Sequence, residues 1–186
     1  EDARRLAVKK NYEKTYGAIV AQGPAIETAL RGSDANTIQN LFDWQSYALY
    51  NDTLISADPA AYLKSKDAPL LCVGDWDKGE DGNPTGVFTG KTPHGADGLK
   101  ERVMFYIQEF YFGREDIRWE RARTEADEGF KVQIGSKEYV GKRIFLSFKG
   151  GGAEKEFWLA APLGSEDVRV INFRDKQAFP NLQEHE

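Results

Sequence analysis

The sequence predicts an α+β domain in which N-terminal helices pack on one face of a curved antiparallel sheet of about five strands. Three observations predict it. Apolar residues of the first third recur at helical spacing, the period changes to two after Asp116, and glycine turns separate the alternating runs. A chain of 186 residues suits one domain over residues 1–175 with a polar tail at 176–186.

Taken in order, residues 3–22 place Leu6, Tyr12, Tyr16, Ile19 and Val20 near one another on a helix, and Gly23-Pro24 is expected to end it. Pro24 then opens a short second helix over residues 25–30, since its missing N–H costs nothing in a first turn. Ser33 or Asp34 caps the next helix, whose stripe Ile38, Leu41, Phe42, Gln45, Ala48 and Leu49 faces a core. Asp58-Pro59 starts another helix, so the helical part runs from residue 3 to about 66. Residues 69–73 read as a buried strand. Residues 74–98 form an irregular loop with a short strand at 86–89. Asp97 caps a helix over residues 99–112, favoured over a strand because both alternating sets there mix apolar and polar residues. Antiparallel strands follow over residues 116–173. Phe130, Val132 and Ile134 alternate with polar residues, and Gly135-Ser136 turns them into the next run.

This element order, over roughly residues 30–173, is similar in architecture to the NTF2-like, cystatin-like cone, where N-terminal helices close over a curved sheet. The resemblance implies a pocket under the helices, and no sequence motif accompanies it.

Composition excludes several function classes. No run of about 18 apolar residues exists to span a bilayer. A single cysteine excludes an internal disulfide and a multi-cysteine zinc site. Net charge is −5, and residues 1–97 carry 10 basic and 14 acidic side chains while residues 98–186 carry 15 and 16, so neither half suits nucleic acid. The polar start Glu1-Asp2 favours an exported protein over a cytoplasmic one.

Reactive groups are scarce. Cys72 sits in an apolar run, where an inert buried thiol is the usual outcome, and His94 is the one histidine outside the tail. Asp75, Asp77 and Asp81 gather carboxylates as a calcium loop would, but the register lacks a closing Glu, so a solvated acidic turn is the simpler reading and no cofactor is expected. On the strand after Asp116, strict alternation puts Trp119, Arg121 and Arg123 on one face. Beneath the helices such arginines would need an anion, with Asp43 or Tyr47 adding a polar group; on an open face they would pair with neighbouring acids. Tyr106, Phe110, Tyr111 and Phe112 are too dense for one helix face, so some should meet a partner.

The expected function is therefore a non-enzymatic binding module recognising another protein, with an inhibitor- or immunity-like profile. A binding or catalytic pocket for a small ligand in the cone is the second expectation. A structural or homodimerising domain is the third.

Overall fold

A computed structural model describes residues 1–57, 76–78, 80, 84–88, 95–122, 129–149 and 155–175. The helices are α1 (Asp2–Arg31), α2 (Ala35–Leu41), α3 (Trp44–Ala57) and α4 (Gly95–Phe110). The strands are β1 (Trp76–Lys78), β2 (Pro84–Phe88), β3 (Arg118–Ala122), β4 (Phe130–Ile134), β5 (Lys137–Ser147), β6 (Lys155–Ala161) and β7 (Arg169–Asp175). The α+β class and the helices on a curved five-stranded antiparallel sheet are as expected. The strand expected at 86–89 lies largely in β2, which pairs with β1 as a separate ribbon. The helix expected to residue 66, the strand at 69–73, Cys72, His94 and the tail lie outside the described residues.

The main sheet runs β3-β5-β6-β7, and β4 also pairs with β5. The eleven residues of β5 are long enough to hold two strands end to end on one edge. Phe130–Ile134 pairs with residues 137–141, and β3 pairs with residues 144–147. Gly141 is what lets the sheet curl. A Cβ there would lie 2.3 Å from the Leu159 carbonyl oxygen and 2.5 Å from the Phe130 ring. Without that atom, Phe130 crosses β5 and packs on Trp158 of β6, ring centroids 5.3 Å apart.

The helices cover one sheet face. Ile19, Ile26 and Leu30 of α1, Ile38 of α2, and Leu99, Val103 and Ile107 of α4 meet Ile144, Leu146, Phe157, Leu159 and Phe173. The second face has its own cluster, Ile134, Tyr139, Ala160 and Ile171, against which Tyr50, Phe130 and Val132 pack. Tyr47 belongs to the first core and Tyr50 to the second, so α3 straddles the β7 edge.

Besides a small shift at α4, which starts at Gly95 with Asp97 inside its first turn and ends at Phe110 instead of residue 112, two helix boundaries differ from expectation. Gly23-Pro24 does not end α1, which runs through both residues. Pro24 points to solvent, so its ring costs one ladder bond and little packing. Tertiary contacts outweigh that loss. Gly23, Glu27 and Arg31, spaced by four, clamp the start of β3. Trp119 lies against Gly23, Glu27 Oε1 accepts the Trp119 N–H at 2.8 Å, and Arg31 donates twice to the Ile117 carbonyl at 3.0 and 2.8 Å.

The second difference is a break in the helix expected through residues 34–50. Asp34 caps α2 as expected, accepting from the Thr37 N–H at 3.1 Å. Phe42 is extended and bridges to Val170, while the Asp43 N–H donates to the Val170 carbonyl at 2.9 Å. Asp43 then caps α3, accepting the Ser46 N–H at 3.1 Å and the Ser46 hydroxyl at 2.8 Å. Phe42 and Tyr47 stack with centroids 6.1 Å apart, the apolar staple that accompanies such a cap. The apolar stripe continues across the break, which hides it from a periodicity reading.

Two glycines of α1 should respond oppositely to alanine. A Cβ on Gly23 would lie 2.2 Å from Trp119 Nε1, whereas Gly17 has nothing within 4 Å. Gly17→Ala should stabilise the protein by about 0.5–1 kcal/mol. In Gly23→Ala the same propensity gain is offset by overpacking of about 1–3 kcal/mol. Urea denaturation of the two variants should give midpoint shifts of opposite sign.

Candidate functional site

Length mismatch leaves part of α1 open to solvent. Thirty helical residues span about 45 Å, whereas the seven-residue β6 spans about 23 Å. The helix is pinned at Thr15, which is buried. Its hydroxyl donates to the Ser165 carbonyl at 2.8 Å and accepts the Gly164 N–H at 3.0 Å. Toward the N-terminus from there α1 outruns the sheet, and residues 1–10 are all exposed.

The core-facing stripe of α1 continues along this overhang. Glu1, Arg4, Arg5, Val8, Lys9, Tyr12, Glu13 and Tyr16 line an open groove of about 570 Å³. Two cations of the sheet meet its tyrosines. Lys131 Nζ of β4 lies 5.5 Å from the Tyr12 ring centroid, and Lys142 Nζ of β5 lies 4.4 Å from that of Tyr16. A hydrogen bond with Tyr12 raises the Lys131 pKa, favouring the charged ammonium further. Arg5–Glu1 at 3.7 Å and Lys9–Glu13 at 3.9 Å are solvent-exposed pairs of the kind that contribute little. The groove thus combines an apolar strip, two phenol rings and an excess of cations.

A second arrangement lies on the sheet face opposite α1. Register places Arg143 beside Trp158 and Trp158 beside Asn172; one step along, Phe145 lies beside Glu156 and Glu156 beside Arg174. Arg143 Nη1 donates to Glu156 Oε1 at 2.8 Å, and Glu156 is only 1% exposed. Both guanidinium groups flank one indole, with Cζ 5.4 Å (Arg143) and 4.8 Å (Arg174) from the Trp158 ring centroid.

The third arrangement closes the helix-side core. Asp175 is buried and accepts the Tyr106 hydroxyl at 2.9 Å and the Tyr111 hydroxyl at 2.8 Å on Oδ2, while Lys155 Nζ lies 3.7 Å from Oδ1. Burial first, and then the negative Asp175 beside them, push both phenol pKa values up. Each phenol therefore stays a hydrogen-bond donor. The cluster ties α4 and the turn after it to the last strand of the sheet.

The residues singled out from sequence do not form one site. Asp43 caps α3, and Tyr47 is buried with its hydroxyl donating to the Phe173 carbonyl at 3.2 Å. Trp119 sits at the other edge of the sheet, three strand spacings or about 14 Å from β7. In the backbone pairing Trp119 is opposite Leu146 and Arg121 opposite Phe145, with an irregularity in register between them. The Arg121 side chain and all of Arg123 lie outside the described residues. So do Asp75, Asp81 and the Asp77 side chain, and among the described residues no group of three metal-ligating side chains occurs.

The aromatic set on α4 divides. Tyr106 and Tyr111 turn inward to Asp175, and Phe112 packs partly against the core. Phe110 is 52% exposed and Phe105 66%. Sequence reasoning passed over Lys131, Arg143, Glu156, Trp158, Asn172, Arg174 and Asp175. One signal was present: Lys155, Glu156, Asn172 and Asp175 are polar residues inside two short apolar strands, β6 and β7.

No protein-family model, curated protein or solved structure matches this chain. The resemblance to the NTF2-like cone therefore rests on element order alone.

The Asp175 cluster makes an alkaline prediction. The unfolded chain releases tyrosine protons near pH 10, whereas the folded chain holds those of Tyr106 and Tyr111 to higher pH. Stability is thus fully present below about pH 10 and falls above it, by about 1.4 kcal/mol per pH unit for each such tyrosine. Tyr111→Phe should lower stability at neutral pH by about 1–3 kcal/mol and remove one tyrosine's share of the alkaline slope. Urea denaturation at several pH values between about 8 and 11 measures both effects.

Proposed function

We propose that this protein is a non-enzymatic binding module that takes an acidic segment of a partner protein along the exposed N-terminal half of α1. The carrying observation is the 570 Å³ groove in which Arg4, Arg5 and Lys9 surround Val8, Tyr12 and Tyr16. Lys131 and Lys142 add positive charge at its inner end. In a chain of net charge −5 this concentration of cations is local, and it suits steering of an acidic ligand. The tyrosines and Val8 give that ligand an apolar surface as well as charge, so register along the helix can be specified. An inhibitor- or immunity-like role, in which one protein blocks another by covering it, fits this reading.

Fluorescence anisotropy with a labelled oligoglutamate peptide tests it. Binding should weaken steeply with added salt. The triple variant Arg4→Glu, Arg5→Glu, Lys9→Glu should bind at least about tenfold more weakly with an unchanged circular dichroism spectrum, because all three side chains are exposed. Unchanged affinity in the triple variant would remove the groove from consideration. A concentration-dependent doubling of mass in sedimentation, lost in the same variant, would instead make a second copy of this acidic chain the occupant.

A further inference from the structure

We propose that the second sheet face, away from the α1 groove, holds a small carboxylate between Trp158 and Asn172. The two residues are direct cross-strand neighbours on β6 and β7, which puts their side chains about 5 Å apart at the root. Asn172 is 3% exposed, and its Oδ1 accepts the Phe173 N–H at 2.9 Å. That bond fixes the amide orientation, so the remaining group, Nδ2, is a donor. Among the described residues Asn172 Nδ2 has no hydrogen-bond partner, and neither has the buried Nε1 of Trp158. An indole N–H can only donate. What the pair lacks is therefore two acceptors side by side, and a carboxylate carries two oxygens in that arrangement.

The surroundings select among anions. Arg143 and Arg174 bring guanidinium groups against the same indole, which favours a negative guest. Buried Glu156 sits one step along the strand and disfavours more than one negative charge, which weighs against phosphate dianion. Phe130, 5.3 Å from the Trp158 ring, offers an apolar wall for the body of an organic acid. Trp158 and Arg143 keep partial exposure, whereas Asn172 and Glu156 are buried, so the side of the site nearest solvent is the indole and the Arg143 guanidinium. The Trp119 Nε1 atom is buried without a partner too, but it faces the backbone of Gly23, where no ligand fits.

Benzoate is a suitable probe, with inorganic phosphate as its counterpart. In 15N-labelled protein the Trp158 indole resonance, assigned by its loss in Trp158→Phe, should move downfield and saturate with benzoate. Phosphate should leave it in place. Calorimetry should show Asn172→Leu binding benzoate about tenfold more weakly, as expected for one lost hydrogen bond to a charged acceptor. Should Asn172→Leu not fold, Trp158→Phe removes the other donor and should show the same tenfold loss. The proposal is overturned if benzoate produces no saturable shift, in which case the two donors hold buried water. It is equally overturned if phosphate shifts the resonance as far, or if the folded variant binds benzoate like the parent.

Discussion

Burial of β6 on both faces is the constraint from which the rest of the structure follows. All of its residues except Trp158 are buried, and even that one is only partly exposed. A strand covered twice needs two layers, and here the chain supplies helices on one side and its own curled sheet with Tyr50 on the other. Polar residues on such a strand cannot turn to water, so each meets a neighbour. Lys155 meets Asp175 across the β6–β7 pair, and Glu156 meets Arg143 across β5–β6. Removing one member of such a pair leaves the other uncompensated in a low dielectric, which makes these pairs more useful for specifying register than for adding stability. Asp175 extends the constraint to the helices, because Tyr106 and Tyr111 must reach it from α4 and the following turn.

What could be read from the residues divides along the same line. The α4 stripe Leu99, Val103, Tyr106 and Ile107 was legible because one face of that helix meets the core. The strands of residues 130–134 and 155–160 were legible because alternation and glycine turns mark them locally. Continuity of α1 through Pro24 was not, since it depends on Trp119 and Ile117, more than 85 residues away. The break at Phe42-Asp43 was hidden for a related reason: it is made by a bridge to Val170, and the apolar stripe does not register it. Site residues were harder still. Trp119 and Arg121 satisfy the alternation rule on paper, but an irregularity in backbone pairing lies between them, which spacing does not announce. Conversely, Trp158 and Asn172 become neighbours only through strand pairing, which no spacing in the chain announces.

The two candidate binding regions share a wall. On β4, Phe130 turns toward Trp158 and the second face, while the adjacent Lys131 turns toward Tyr12 and the α1 groove. Successive residues of a strand point to opposite sides, so one short strand contributes to both regions without either side chain bending to do so. Gly141 underlies this arrangement, since any larger residue there would push Phe130, and β4 with it, away from β6.

The division of β5's outer edge between β3 and β4 has a further consequence. An uninterrupted outer strand would have offered a row of free amides and carbonyls as a template for another chain. Here that border consists of two five-residue pieces. The opposite border, β7, is already engaged by the backbone of Phe42 and Asp43 through Val170. Strand-by-strand polymerisation therefore finds no long straight seam at either border among the described residues. Association with another chain is thereby directed to side-chain surfaces instead of the hydrogen-bonding edges of the main sheet.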